Sequence, residues 1–247
     1  MELFDTAEIN GAGPDTESAA VIGELLSRLE GISLNARDNA LHALLYGCSV
    51  HSPVSPPRPA IISFAHKVIA AAESAGDITT ETARCQAEKV CNDRLDPDTE
   101  QVKIAAFKVM REFDRLRGLL RFKPDQEDCY TAICSPDHFV LPLLADHFRQ
   151  RFGKKSWAII DERRNFILTC KNGKLPVLRP LGAKEKVQEN NTVQGSAEHN
   201  CATQNSDEWE ALWKNYHRSI NNEDRANPKL QKQFMPSRYW KYLAEFR

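Results

Sequence analysis

The chain has 247 residues, enough for one large domain or two small ones. With 41% hydrophobic and 27% charged residues it has an ordinary globular composition, and no apolar run approaches the roughly 20 residues of a membrane-spanning helix. The net charge of −1 conceals a split: residues 1–102 carry 7 Lys+Arg against 16 Asp+Glu, and residues 103–247 carry 26 against 18. A basic half suits a polyanionic partner; equally, the two halves can neutralise each other across an interface.

The opening Met1-Glu-Leu-Phe-Asp-Thr has no basic n-region and no apolar h-region, so no secretory leader is expected. Residues 1–17 lack periodicity and are expected to fray. Helices are predicted over 19–29, with Val21, Leu25 and Leu29 on one stripe, and over 35–47, closed by Gly47. The four prolines of Ser52–Pro59 predict an extended connector. Further helices are predicted over 60–75 and 80–94.

Asp96-Pro97-Asp98 opens a helix ending near Gly118. Val102, Ala106, Val109, Phe113, Leu116 and Leu120 line one stripe, and Lys108, Arg111, Glu112 and Arg115 another. The period then shortens. Strands are predicted over 119–123, 130–134, 157–161, 166–170 and 175–179. Asn172-Gly173 predicts a type I′ turn, and Pro176 places the last strand at an edge. Between the second and third strands a helix is predicted with Pro142 in its first turn and Leu141, Leu144, Phe148 and Phe152 inward. Residues 183–205 read as a mobile polar insert. A helix follows with Trp209, Leu212, Trp213, Tyr216 and Ile220 on its apolar face. Asn227-Pro228 caps the next, and Pro236 starts a last one with Tyr239, Trp240 and Leu243 inward.

Three blocks carry a family likeness. Val109–Phe122, VMREFDRLRGLLRF, is similar to a signature V-x-R-E-x-x-R-x-x-G-F-L-R-F, with Leu119 in place of the usual Phe. Pro136-Asp-His, Leu141-Pro-Leu-Leu-Ala, His147-Phe and Arg151-Phe152 resemble its second block. Asn227–Leu243, NPKLQKQFMPSRYWKYL, resembles its closing block. Together they resemble an uncharacterised family of probable DNA-metabolism or DNA-repair proteins. That resemblance implies DNA as a partner. It also implies association with a radical-SAM DNA modification or repair protein, or with a uracil-DNA-glycosylase-like domain. It carries over no catalytic residue.

The candidate sites follow from residue type. Lys229, Lys232, Arg238, Tyr239 and Lys241 interleave cations with aromatics, a pattern that can hold a phosphate backbone and stack a base; the aromatics can equally be core. Arg111 and Arg115 can bind phosphate, or form a structural ion network with Glu112. Asp137, Asp161 and Glu162 could gather at strand ends as the carboxylates of a metal-dependent hydrolase or nuclease, although each also suits a helix entry or a charged turn. His138 and His147, nine residues apart, fall on opposite faces of a continuous helix, which favours capping or core hydrogen bonding over metal. The seven cysteines form no C-x-x-C pair and read as reduced thiols of a cytoplasmic protein. Neither a dinucleotide-binding, a phosphate-loop nor a nucleophile-elbow motif occurs, so no cofactor is expected.

The expected fold is α+β: an acidic helical region over 1–100, then a basic α+β domain over 101–247. Its small, mostly antiparallel sheet carries the C-terminal helices. The expected function is a DNA-associated accessory protein for a radical-SAM enzyme. The alternatives are the hydrolase using Asp137, Asp161 and Glu162, and a protein–protein adaptor that makes no DNA contact.

Overall fold

The computed structural model describes residues 16–47, 56–124, 129–182 and 202–246. They form an α+β fold in two compact units. The first is residues 1–112 with 137–140, and the second is residues 113–136 with 141–247.

The first unit is helical: α1 (Thr16–Ile32), α2 (Leu34–Leu44), α3 (Arg58–Glu73), α4 (Glu81–Cys91) and the opening turns of α5 (Pro97–Leu119). Its core is built from Ile22, Leu25, Leu29, Phe64, Val68 and Val102, with buried alanines where helices approach closely. The stripe of α1 is shifted from the expected one: Val21 is 39% exposed, and Ile22 and Leu26 are buried instead. Ile22, Leu25, Leu26 and Leu29 follow the 3–4 spacing of a broad face, and Val21 sits beyond its edge. Side chains cap two helices, with Ser33 Oγ accepting from the Ala36 N–H and Thr80 Oγ1 from the Ala83 N–H. At α5, Asp96 Oδ2 accepts from the Thr99 N–H at 2.9 Å, while Lys67 joins Asp96 at 2.5 Å and Asp98 at 2.8 Å. The expected connector 52–59 lies partly outside the described residues. Its last two residues, Arg58 and Pro59, start α3, because proline in a first turn forfeits no helical hydrogen bond.

The second unit carries a five-stranded sheet in sequence order. Its strands are β1 (Lys123–Pro124), β2 (Cys129–Cys134), β3 (Ser156–Asp161), β4 (Phe166–Cys170) and β5 (Val177–Pro180). Only β2 and β3 pair in parallel, and α6 (Leu141–Phe152) makes the crossover they need; the other pairs are antiparallel. Leu141, Leu144 and Phe148 of α6 are fully buried with Trp157 and Ile159 of β3, and Phe122, Phe148, Phe152 and Trp157 form an aromatic cluster.

Of the strand expected over 119–123, Leu119 still belongs to α5, residues 120–122 have no regular structure, and Lys123 opens β1. Leu119 and Leu120 continue the buried stripe of α5, and the Leu120 N–H still donates to the Leu116 carbonyl. The turn after β4 is as expected: Asn172 and Gly173 have φ of 53° and 71°, and Lys174 N–H donates to the Lys171 carbonyl at 3.0 Å. Of the expected insert, residues 183–201 lie outside the described residues, and 202–205 already belong to α7 (Ala202–Ile220). After α7 come a short turn of 3₁₀ helix, α8 (Pro228–Phe234), and 3₁₀ turns over Ser237–Tyr242 and Ala244–Phe246. No helix among the described residues is long and apolar enough to cross a membrane.

Candidate functional site

Parallel strands bring their carboxyl ends to one edge, where polar groups can converge. Here β2 ends at Cys134 and β3 at Asp161, paired in register. Asp161 is wholly buried. Its carboxylate accepts from Arg164 Nη1 at 2.8 Å and from the backbone N–H groups of Arg163 and Arg164. Burial pushes this carboxyl above the usual carboxylate range, against the Arg164 guanidinium and the backbone donors that hold it down. Arg164 Nη1 also donates to the Pro136 carbonyl at 3.0 Å. Glu162 points outward, and its Oε2 accepts from Tyr242 Oη at 2.6 Å and from Lys241 Nζ at 3.2 Å. Burial, then the Glu162 carboxylate, pushes the Tyr242 phenol well above its ordinary value, with Ser135 bonded to the same hydroxyl. Charge is matched pairwise here, so this edge fastens the closing turn to the sheet.

The carboxylates expected to gather as a metal cluster are thus committed at this edge to Arg164 and to the Lys241–Tyr242 pair, while Asp137 belongs to the first unit. Among the described residues, no group of three or more His, Cys, Asp or Glu side chains is placed to hold a metal ion.

In the first unit Glu112 is 2% exposed. Its two oxygens accept the backbone N–H groups of Asp137 at 2.8 Å and His138 at 2.7 Å. The ion network expected of Glu112 with Arg111 and Arg115 did not include these two backbone donors. Lys108 lies over the Tyr46 ring, 5.3 Å from its centroid and 3.2 Å from its hydroxyl. In the second unit Arg115 donates to the Gln233 carbonyl at 3.1 Å. Two backbone donors converging on one carboxylate outcompete flexible exposed cations, because each bond to a charged acceptor in a water-poor site is strong. His138 stacks on Tyr46, and its Nδ1 accepts from the Gly47 N–H at 3.1 Å. That is the hydrogen-bonding role expected of it. His147, in the second unit, has its pKa lowered by burial and by the Arg117 and Arg151 charges.

The basic side chains proposed from sequence sit mostly at the surface. Lys229 and Lys232 on α8, and Arg238 and Lys241 on the 3₁₀ turn, are exposed. Arg111 is exposed too, with no ion pair or hydrogen bond among the described residues. Tyr239 is 2% exposed and bonded to Arg238, so its ring offers no face to a base. Three exposed aromatics of the second unit were not proposed as site residues: Trp213 (38%), Tyr216 (52%) and Phe234 (62%). On α7 the row of Leu212, Trp213, Tyr216 and Ile220 is exposed. A signal existed, since Tyr216 and Phe234 stand among polar and basic neighbours, but periodicity alone read the α7 row only as an apolar face.

A family model described as a domain of unknown function, DUF4130, matches residues 73–245, starting ahead of the signature blocks and reaching back into the end of α3. No curated protein and no solved structure matches. The chain belongs to the DUF4130 family.

Proposed function

For a member of a family whose description names no activity, we propose a DNA-associated accessory role, with the closing segment holding the phosphate backbone. One observation carries the reading. Residues 211–247 contain eight Lys+Arg against three Asp+Glu, and Arg218, Arg225, Lys229, Lys232, Arg238 and Lys241 are all exposed. Such a density of cations on one segment suits neutralisation of successive phosphates with release of counterions. The likeness of Asn227–Leu243 to a DNA-metabolism family supports the same assignment. The chemistry on the DNA is then the work of a partner, a radical-SAM or uracil-DNA-glycosylase-like protein by that resemblance.

The test is fluorescence anisotropy with labelled oligonucleotides over a salt series. Each phosphate contact adds about −0.9 to the slope of log K against log salt on duplex DNA, so reversing Lys229 and Lys232 to Glu flattens the slope by up to about 2. An unchanged slope with unchanged affinity moves the contact elsewhere, to Arg111 first. No binding at any salt defeats the reading. The exposed row of Leu212, Tyr216 and Ile220 favours a second reading, an adaptor that meets a protein partner without DNA.

A further inference from the structure

We propose that the closing segment binds single-stranded DNA in preference to duplex, stacking bases on rings the fold has already oriented. The inference rests on the DNA reading above and adds strandedness to it.

Trp213 is held in place and yet accessible. The Trp213 indole N–H donates to Glu245 Oε2 at 3.0 Å. Arg121, paired with Glu245 at 2.7 Å, sets its guanidinium 5.6 Å from the Trp213 ring centroid. Tyr216 lies one turn along α7, 5.7 Å from Trp213 between centroids and tilted by 39°. The closing turns continue the aromatic surface. His217 meets Phe246 at 6.4 Å, and Phe246 stacks on Trp240 at 4.7 Å with the planes 10° apart. The Trp240 indole N–H donates to the Met235 carbonyl at 2.9 Å. Both indoles therefore have their polar edge satisfied inside the fold, while Trp213 and Tyr216 stay 38% and 52% exposed.

An unpaired base offers two faces to such rings. A base inside a duplex offers none, because its neighbours cover them. Rings held in one orientation lose little freedom when a base settles on them, so the stacking energy is retained. A protein partner also takes exposed rings, but the charge of the segment favours a polyanion. Arg218, Lys229, Lys232, Arg238 and Lys241 are exposed on the same segment, whose acids between Ala211 and Leu243 are Glu223 and Asp224.

The experiment titrates the full chain with a labelled oligo-dT, a duplex of the same length and an oligo-rU. The variants are Trp213→Ala with Tyr216→Ala, Tyr216→Phe, and Lys229→Glu with Lys232→Glu. Single-stranded DNA is expected to bind at least about tenfold tighter than duplex. The double alanine variant should lose about tenfold or more on oligo-dT with an unchanged salt slope, since stacking releases few counterions. Tyr216→Phe should keep wild-type affinity, and a circular dichroism melt of the double alanine variant that matches the parent's excludes misfolding as the cause. Equal binding of duplex and single strand, or an unaffected double alanine variant, overturns the stacking inference and leaves the DNA reading standing. Tighter binding of oligo-rU overturns the assignment to DNA. Absence of binding to every probe overturns both.

Discussion

Glu112 Oε2 accepts the backbone N–H of His138 at 2.7 Å, and Oε1 of the same carboxylate accepts the N–H of Asp137 at 2.8 Å. A side chain near the end of α5's first-unit portion thus holds a backbone corner reached 25 residues later. Glu112→Ala removes the acceptor from two donors at once and is expected to destabilise the protein by about 3 kcal/mol. Glu112→Gln keeps one acceptor and should lose less. Chemical denaturation of both variants checks this, and an alanine variant within about 0.5 kcal/mol of the parent would contradict the clamp.

Arg164 and Asp161 make the corresponding prediction in the second unit. Their side chains are 4% and 0% exposed and 2.8 Å apart. Arg164→Leu leaves a buried carboxylate without its cation, and a loss of about 3–5 kcal/mol is expected at neutral pH. The sign with pH follows from burial, which raises the Asp161 pKa. The folded state then binds the proton more tightly than the unfolded chain, so stability falls as pH rises from the unfolded value toward the folded one. The defect of the variant should therefore shrink in acid. Melts between pH 4 and 8 test it, and a defect independent of pH would remove Asp161 from the explanation.

Lys67 predicts the opposite pH behaviour for Asp96. The Lys67 ammonium first, then the Thr99 backbone N–H, holds the Asp96 carboxyl down at about 2. The stability this pair contributes is present above the unfolded pKa and is lost as pH falls through the folded one. Lys67→Met should return the Asp96 pKa toward its ordinary value, as read by carboxyl NMR titration. An Asp96 that still titrates near 2 would assign the shift to the helix cap alone.

Gly173 has a φ of 71°, and a Cβ built on it would lie 2.8 Å from the Gly153 carbonyl oxygen. Both the conformation and the close backbone approach demand glycine. Gly173→Ala is expected to cost about 2 kcal/mol or more, whereas Asn172→Gly, at a φ of 53°, should be close to neutral. Comparable losses in the two variants would point to the Asn172 side chain rather than the backbone as the determinant.

Local physics was legible in the sequence. Asn172-Gly173 encodes positive φ at two consecutive residues, Asn227-Pro228 encodes a cap and a first turn, and the 3–4 spacing from Val102 to Leu116 encodes a buried stripe. Each depends on residues within a turn or two of one another. Ser33 and Thr80 cap their helices by bonds just as local, though the sequence reading named neither. The α+β class followed from the change of period near residue 120.

Tertiary structure decided which of two neighbouring residues faces the core and which partner a charge selects. Val21 and Ile22 are chemically alike, and the packing of neighbouring helices against α1 makes Ile22 the buried one. Glu112 stands within reach of two cations on its own helix, yet backbone donors from a distant corner take it. Nothing in the spacing of α7 distinguishes an apolar row that is covered from one left open, because the amphipathic pattern is the same for both. The exposure of Trp213 and Tyr216 therefore had to come from the fold: periodicity states that a face is apolar, and only the arrangement of the other elements states whether anything covers it.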